Sequence, residues 1–334
     1  MLYVTTRDNR DPCTPYRTMH SMRSPDGGFY LPFRHPGFTP EEIEALAEMT
    51  FGESVAQVLN RLFNTRLTGW DIDSCCGRKP VRLCPLNQRI LIAEGWHNPE
   101  ERFSFIIESI ARKLCPDITE ASEWVHIAVR ASVLFGLFTQ LQKTGISQAD
   151  IAMVSGDFTL PISAWYARHW GLPIGNIVCC CNENNSFWEL LCHGQMRTDT
   201  VAVSTRIPEA DIAVPAKLER LIYEAGGQEA VAGYLDCVRT GSVYHPGDSL
   251  LSRIRKGMYA SVVSSLRLNN TIPSVYRTHS YLMTPSTALA YAGSMDYRAK
   301  TGQTRPILIW AEESPSVHSA VIGQIMASPE PDPE

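Results

Sequence analysis

Several patterns that would assign a function directly are missing from this 334-residue sequence. It contains no C-x-x-C pair, no G-x-S-x-G, H-E-x-x-H or P-loop motif, and no internal repeat. Its 30 basic residues are outnumbered by 35 acidic ones, so the basic excess of nucleic-acid-binding proteins is absent. No uninterrupted apolar run reaches the roughly 18 residues of a membrane span, and residues 1–7 do not resemble a secretory signal. We therefore expect a cytoplasmic protein with no nucleic-acid or membrane partner.

Cysteine is plentiful, with ten residues, but its spacing does not suit a metal site. Cys75 and Cys76 are adjacent, and Cys179 to Cys181 are consecutive. Neighbouring side chains on a strand point to opposite faces, so a consecutive triplet cannot chelate one ion as a unit. The spacing favours reduced, mostly buried thiols over a metal centre, and we expect no metal site.

The hydrophobic pattern indicates an α/β protein. Residues 1–40 are rich in turn formers, and a helix follows with Thr39 as N-cap, Pro40 at its first position and Glu42 completing a capping box. A second helix is predicted over 52–63, and a polar linker over 70–80. From residue 89 onwards strands and helices alternate, which predicts a mostly parallel sheet with crossover helices. We expect an N-terminal region at 1–80, a core domain at 81–327 and a disordered tail at 328–334.

A loop over residues 96–105 joins a predicted strand at 89–94 to a predicted helix at 106–114. Enzymes with α/β folds often place their chemistry at such junctions. The loop carries His97, Glu100 and Glu101 side by side. They form a candidate acid/base cluster, and the alternative is a solvated, charged loop.

Six further motifs occur along the chain in a defined order. They are Tyr3-Val4-Thr5-Thr6-Arg7, Asp26-Gly27-Gly28-Phe29-Tyr30-Leu31-Pro32, Ser122-x-Trp124-x-x-Ile127, Ser155-Gly156-Asp157-Phe158, Asn182-Glu183-Asn184 and Thr284-Pro285-Ser286-Thr287-Ala288. Each is a weak signal alone, but together and in this order they resemble the threonine synthase family. The loop at residues 97–104 resembles that family's H-G-P-T-x-A-F-K-D segment.

The resemblance implies the tryptophan synthase β-like fold, known as fold type II, and the conversion of phosphohomoserine to threonine with pyridoxal phosphate. It also implies a homodimer and a small-molecule metabolite as partner. The positions that match the family's phosphate loop and neighbouring motifs are the expected substrate-binding residues: Ser155, Gly156, Phe158, Thr159, Asn182, Glu183, Asn184 and Thr287.

Three departures from the family pattern change this expectation. Ser104 stands where the family has the lysine that forms a Schiff base, and a hydroxyl cannot form an imine. The family carries a small cofactor-binding domain between two of its helices. In this chain only residues 115–123 connect the corresponding helices, so that domain is missing. Asp157 and Thr159 stand where the phosphate loop has asparagine and glycine, and a carboxylate there repels a phosphate. Asp157 is either a helix cap or a base. We expect a truncated fold type II core without the small domain and without pyridoxal phosphate.

Three functional hypotheses remain open from the sequence. The first is a cofactor-independent biosynthetic lyase, cyclase or isomerase that acts on a small polar metabolite, with His97, Glu100, Glu101, Ser104 and Asp157 as catalytic candidates. The second is a non-catalytic pseudoenzyme that serves as a partner subunit or ligand-binding protein. The third is a lyase of the threonine synthase type with weakened pyridoxal-phosphate binding.

Overall fold

The structure is a computed structural model that describes residues 1–76, 81–96 and 102–327. Its strands are β1 (Tyr3–Thr5), β2 (Tyr30–Pro32), β3 (Arg82–Asn87), β4 (Ile90–Glu94), β5 (Ala149–Val154), β6 (Ile174–Cys181), β7 (Met258–Val262) and β8 (Ile307–Ala311). Its helices are α1 (Pro15–His20), α2 (Pro40–Glu48), α3 (Phe51–Phe63), α4 (Gly69–Cys75), α5 (Phe103–Leu114), α6 (Glu123–Lys143), α7 (Thr159–His169), α8 (Ser186–His193), α9 (Leu218–Thr240), α10 (Gly247–Arg255), α11 (Ser265–His279), α12 (Pro285–Thr301) and α13 (Ser319–Ala327). Short 3-10 turns occupy Pro208–Ala210 and Pro315–His318.

A six-stranded sheet in the order β3-β4-β8-β5-β6-β7 forms the centre of the fold. Only the edge pair β3–β4 is antiparallel, and the other pairs are parallel. Strand β8 pairs on one side with β4 and on the other with β5, with Ile307 opposite Ile90 and Asp150. The predicted α/β class with a mostly parallel sheet is therefore confirmed.

Helix α6 is the central helix of the protein. Ser122 caps it by accepting a hydrogen bond from the Val125 amide, and the helix packs against α2, α3, α5 and α7. By length and composition it is apolar enough to cross a membrane, but 89% of its apolar window is buried inside the protein. Such burial is what the core helix of a soluble protein shows.

The N-terminal helices begin where the sequence places them. Thr39 accepts a hydrogen bond from the Glu42 amide, and the Glu42 side chain accepts one from the Thr39 amide, so the predicted capping box is present. Helix α3 begins one residue before the predicted start and buries Val55, Val58 and Leu59. These side chains belong to the same hydrophobic cluster as α6, so the N-terminal region and the core share packing. The domain boundary at residue 80 and the tail at 328–334 lie outside the described residues.

One prediction of irregular structure is wrong in the described ranges, and one strand was not predicted. Residues 69–75 form helix α4, most of it within the predicted linker, because Thr68 and Asp71 make a further capping box that starts a helix despite the polar composition. Strand β7, which the sequence pattern did not indicate, extends the sheet beside β6. It is short and mixed in polarity, so tertiary pairing rather than local pattern determines it.

All ten cysteines are free thiols, as expected. Cys179, Cys180 and Cys181 lie buried on β6, and burial is the largest cause that raises the pKa of each thiol above its ordinary value. These three side chains are packing residues, because a buried thiol with a raised pKa is a poor nucleophile.

Candidate functional site

A cleft of about 980 Å³ lies at the carboxyl ends of β5 and β8. Its walls come from the turn after β5, the first turns of α6, the residue before α9 and the segment after β8. Parallel sheets commonly bind ligands at this edge, because the loops that follow the strands meet there. The cleft is therefore the candidate site.

The turn from β5 into α7 forms the floor of the cleft. Gly156 has a φ of +45°, and a Cβ built on it would lie 2.6 Å from the carbonyl oxygen of Glu209, so only glycine fits without strain. Phe158 also has a positive φ, of +76°, and its ring is buried against Phe187 with centroids 4.6 Å apart. Packing of the Phe158 ring thus holds the turn and directs Asp157 and Thr159 to the cleft.

Asp157 has two roles in the structure. Its Oδ1 accepts a hydrogen bond from the Thr159 amide at 2.9 Å, which fixes the turn that leads into α7. Its Oδ2 accepts a hydrogen bond from the Lys217 ammonium. Burial alone would raise the pKa of Asp157, but the Lys217 charge and these hydrogen bonds outweigh burial and lower it. Asp157 is therefore an ionised carboxylate at neutral pH.

Lys217 projects into the cleft from the position just before α9. Its side chain is 15% exposed, and its Nζ lies between two carboxylates, in contact with Asp157 and 3.7 Å from Glu123 Oε1. Among the described residues it is the one lysine that lines the cleft. The two carboxylates favour the ammonium form of Lys217, which can donate a proton to a ligand and act as a base or nucleophile once it has lost that proton.

A second charged group lies opposite, on α6 and the end of β8. Arg130 makes a bidentate pair with Glu312, with Nε and Nη2 at 2.6 and 3.0 Å from the carboxylate oxygens. Trp310 donates to the same carboxylate at 3.1 Å. Arg130 also donates from Nη1 to His126 Nδ1 at 3.1 Å, so neutral His126 carries its proton on Nε2. Burial and then the Arg130 charge lower the pKa of His126 to about 4.

The rim of the cleft carries a third group. Arg102 forms an isolated bridge with Glu313, and its guanidinium lies 3.1 Å from the Glu313 carboxylate. His318 binds the same carboxylate. This hydrogen bond is the largest cause that lowers the pKa of Glu313 and raises that of His318, so each group favours the charged form of the other. Arg206, also at the cleft, is exposed and has no carboxylate partner among the described residues.

Four of the sequence-predicted site residues meet in this cleft: Ser155, Gly156, Asp157 and Thr159. Phe158 lies beneath the floor. Ser104 lies on the first turn of α5, half-buried, and does not line the cleft. His97, Glu100 and Glu101 lie outside the described residues. The catalytic roles assigned to these residues remain predictions.

The other predicted binding residues form contacts beside the cleft rather than in it. Asn182 is buried and its side-chain amide donates to Thr205 and Asp211. The Asn184 side-chain amide donates to the carbonyl oxygen of Val203. Glu183 accepts from the amide and hydroxyl of Ser265 at the start of α11. Thr287 is buried and bonds Thr284, the N-cap of α12. Their polar atoms are engaged in capping and loop contacts, so in this structure they shape the surroundings of the cleft, and direct substrate contact remains a prediction.

Sequence reasoning missed Lys217, Glu123, Arg130 and Arg206. Lys217 is 60 residues from Asp157, and Arg130 is 182 residues from Glu312. No local motif joins such distant positions. The one available signal was a charged residue inside an otherwise apolar helix, as Arg130 is in α6.

Comparison with known proteins supports the fold and its relationships. Residues 2–79 match the family model described as the threonine synthase N terminus. Threonine synthase from Pseudomonas aeruginosa is 26% identical over 213 residues, which are 62% of this chain and 45% of that protein. Threonine synthase-like 1 from Homo sapiens is 22% identical over 183 residues, which are 53% of this chain and 23% of that protein. The chain is related to the threonine synthases. The matched part covers less than half of each of these curated relatives.

Solved threonine synthases share the fold over the whole chain. The PLP-bound threonine synthase from Brucella melitensis aligns with a TM-score of 0.86 and 18% identity, covering 100% of this chain and 93% of that one. The yeast threonine synthase aligns with a TM-score of 0.82 and 14% identity, covering 100% and 91%. The threonine synthase-like, fold type II assignment made from the sequence motifs is confirmed.

These relatives correct one prediction. The expectation that the chain has no cofactor is wrong, because a neighbour that spans the whole chain is a PLP-bound threonine synthase. The comparisons point to pyridoxal phosphate rather than to no cofactor. The residues fit such a group in one respect, since Lys217 supplies an amine in the cleft. They differ in another, since the Thr159 amide at the start of α7 is occupied by Asp157 instead of being open to a phosphate.

Proposed function

We propose that the chain is a biosynthetic enzyme, a lyase, cyclase or isomerase, that acts on a small polar metabolite derived from an amino acid. The observation that carries this proposal is the Lys217 ammonium held by Asp157 in a large cleft at the carboxyl edge of the sheet. A lysine largely shielded from solvent in a cleft is a typical device for proton transfer and, once deprotonated, for attack on a carbonyl.

The cleft offers partners for both charges of an amino-acid-like ligand. Arg206 is free of carboxylates within the described residues and suits a ligand carboxylate. Glu123 suits a ligand ammonium, because its Oε2 has no hydrogen-bond partner in the described part of the chain. Arg130, by contrast, is fully engaged by Glu312 and His126, so its function is to fix the opposite wall.

The reacting pair in this proposal is Lys217 and Asp157. The Asp157 carboxylate positions the Lys217 ammonium, which donates a proton to the ligand; after it has lost that proton, the neutral amine can remove a proton beside the ligand carboxylate or attack a ligand carbonyl. Pyridoxal phosphate, where it binds, supplies an electron sink for carbanion chemistry. Ser155 and Thr159, on the floor of the cleft, orient the ligand through their hydroxyls.

The test compares wild-type protein with Lys217→Arg, which keeps the ion pairs but supplies no usable neutral amine. Lys300→Gln, at an exposed position at the end of α12, is the matched control. Each protein is incubated with pyridoxal phosphate, reduced with borohydride and digested, and the modified lysine is located by mass spectrometry. We expect modification at residue 217 in wild type and in Lys300→Gln, and none there in Lys217→Arg.

Turnover is measured separately, with and without pyridoxal phosphate, on a panel of amino acids and phosphorylated hydroxy-amino acids. Product formed by wild type and by Lys300→Gln but not by Lys217→Arg supports the enzyme. Ligand-induced thermal stabilisation without product in any condition refutes it, and identifies a ligand-binding pseudoenzyme.

We also propose, by analogy with threonine synthases, a cytoplasmic homodimer that binds neither nucleic acid nor membrane. The acidic balance of 35 to 30 charged residues supports the absence of a nucleic-acid partner. Light scattering coupled to size-exclusion chromatography measures the mass directly, and a monomer at micromolar concentration would refute the dimer.

A further inference from the structure

Three potential metal ligands from separate parts of the sequence meet at the surface, outside the cleft. His20 is the last residue of α1, Cys115 is the residue that ends α5, and Asp117 follows in the next turn. Their ligand atoms lie within 4.8 Å of one another. His20 and Cys115 are 95 residues apart, which is why the cysteine spacing gave no sign of this cluster.

The separations within the cluster suit a tetrahedral ion. Zinc bonds of about 2.0–2.3 Å at tetrahedral angles place ligand atoms about 3.3–3.6 Å apart. His20 Nε2 is 3.3 Å from Asp117 Oδ2 and 3.7 Å from Cys115 Sγ. The Cys115 thiol donates to Asp117 Oδ1 at 2.8 Å. If the thiol loses that proton and the carboxylate rotates slightly, the distance from Cys115 Sγ to Asp117 Oδ1 increases to that expected between two zinc ligands.

The histidine is held in the form that a metal requires. Nδ1 of His20 lies 2.8 Å from the carbonyl oxygen of Tyr16, and a carbonyl only accepts, so Nδ1 carries a proton. The lone pair of neutral His20 is therefore on Nε2, the atom that faces Cys115 and Asp117. Metal-binding histidines commonly have this backbone partner on their other nitrogen. The Tyr16 ring also stacks on the imidazole, with centroids 3.9 Å apart.

The same geometry leaves a place for a cation. The Nε2 lone pair and the Asp117 carboxylate are both acceptors, and they face each other at 3.3 Å. Two acceptors at that distance repel unless a proton or a metal ion lies between them. The Tyr16 hydroxyl donates to Asp117 at 3.0 Å and orients the carboxylate from outside. The cluster thus has three ligands and two supporting contacts.

We propose that His20 Nε2, the Cys115 thiolate and the Asp117 carboxylate bind a divalent transition metal, zinc foremost. One imidazole, one thiolate and one carboxylate select zinc over magnesium or calcium, which take oxygen ligands. The two negative charges balance the ion, and binding releases the Cys115 proton to solvent. The side chains of His20 and Asp117 are 27% and 61% exposed, so the fourth position is open to water. The metal joins α1 to the short connection between α5 and α6.

The experiment uses the full chain, freed of metal by a chelator and kept reduced. Cobalt is titrated first, because a thiolate ligand gives a charge-transfer absorption in the near ultraviolet, and zinc then displaces it. We expect one cobalt per chain with the thiolate band, and displacement by one zinc. Cobalt that binds without the band, or no stoichiometric binding at all, overturns the proposal and leaves a proton as the cation between His20 and Asp117.

Variants assign the ligands. Cys115→Ser removes the band, and Asp117→Asn and His20→Gln weaken zinc binding by at least the roughly 10–100-fold that loss of even an outer partner costs. Cys192→Ser, at the one exposed cysteine of the described residues, is the matched control, and we expect it to keep the cobalt band and the wild-type zinc affinity. Equal affinity in wild type, Asp117→Asn and His20→Gln refutes the site. Asp117 is largely exposed, so its variant stays informative if Cys115→Ser does not fold.

Discussion

His126 makes the stability of this protein depend on pH in a way that can be isolated. Burial and the Arg130 guanidinium lower its pKa to about 4 from 6.5, so the folded chain holds the imidazole neutral while the unfolded chain protonates it. Because the folded chain has the lower His126 pKa, its stability is highest above the unfolded-state pKa of 6.5. This stability is lost as the pH falls from 6.5 to the folded-state pKa of about 4. For these two values the loss between pH 7 and pH 5 is about 2 kcal/mol.

The perturbation is acidification of wild type and of His126→Gln, whose amide still accepts from Arg130 but does not titrate. The free energy of unfolding is measured by urea titration at several pH values. Wild type should lose about 2 kcal/mol more than His126→Gln between pH 7 and pH 5. His245→Gln, at an exposed position, controls for removal of a histidine and should follow wild type. Parallel losses in wild type and His126→Gln would refute the reasoning, since other carboxylates titrate equally in both.

Three further substitutions test the fold and the walls of the cleft by urea denaturation. Arg130→Met removes the bidentate pair and leaves Glu312 without its cation, so we expect a loss of about 2–3 kcal/mol; an unchanged stability would show that the pair is offset by desolvation. Thr68→Ala removes the cap of α4 and should cost about 1 kcal/mol, while Thr68→Ser should restore most of it. Gly156→Ala places a Cβ 2.6 Å from the Glu209 carbonyl at a positive φ, so we expect a loss above about 1 kcal/mol and weaker ligand binding; wild-type behaviour would contradict the assigned turn geometry.

Local signals made much of the fold predictable. The capping box of Thr39 and Glu42 lies within four residues, so it can be read from the sequence and it starts α2 as expected. The alternation of strands and helices after residue 89 likewise predicts the parallel sheet. Helix α4 was missed although Thr68 and Asp71 use the same device, because its short, polar and cysteine-containing composition indicates a linker.

The site was less predictable for a physical reason. The turn at Ser155 to Thr159 is one continuous segment, so the family resemblance located it and the structure places it in the cleft. Lys217 reaches the same cleft from the start of α9, and only the folded chain brings it to Asp157. A single sequence contains no local pattern for a contact of that kind. Ser104 shows that the loop lacks the family's lysine, but the sequence does not show whether another part of the chain supplies an amine to the same cleft.

The position of β8 has a consequence for how the chain folds. Strands β3 and β4 come early and β5, β6 and β7 later, yet the two groups do not pair with each other; β8, near the end of the chain, lies between them. Until residues 307–311 are synthesised, no strand can join β4 to β5, so we expect two separate pieces of sheet with open edges. We expect folding to complete only after translation has passed this strand, with unpaired edges exposed to aggregation until then. The last-formed strand of the sheet is its central one, so assembly of this protein depends on its C-terminal segment.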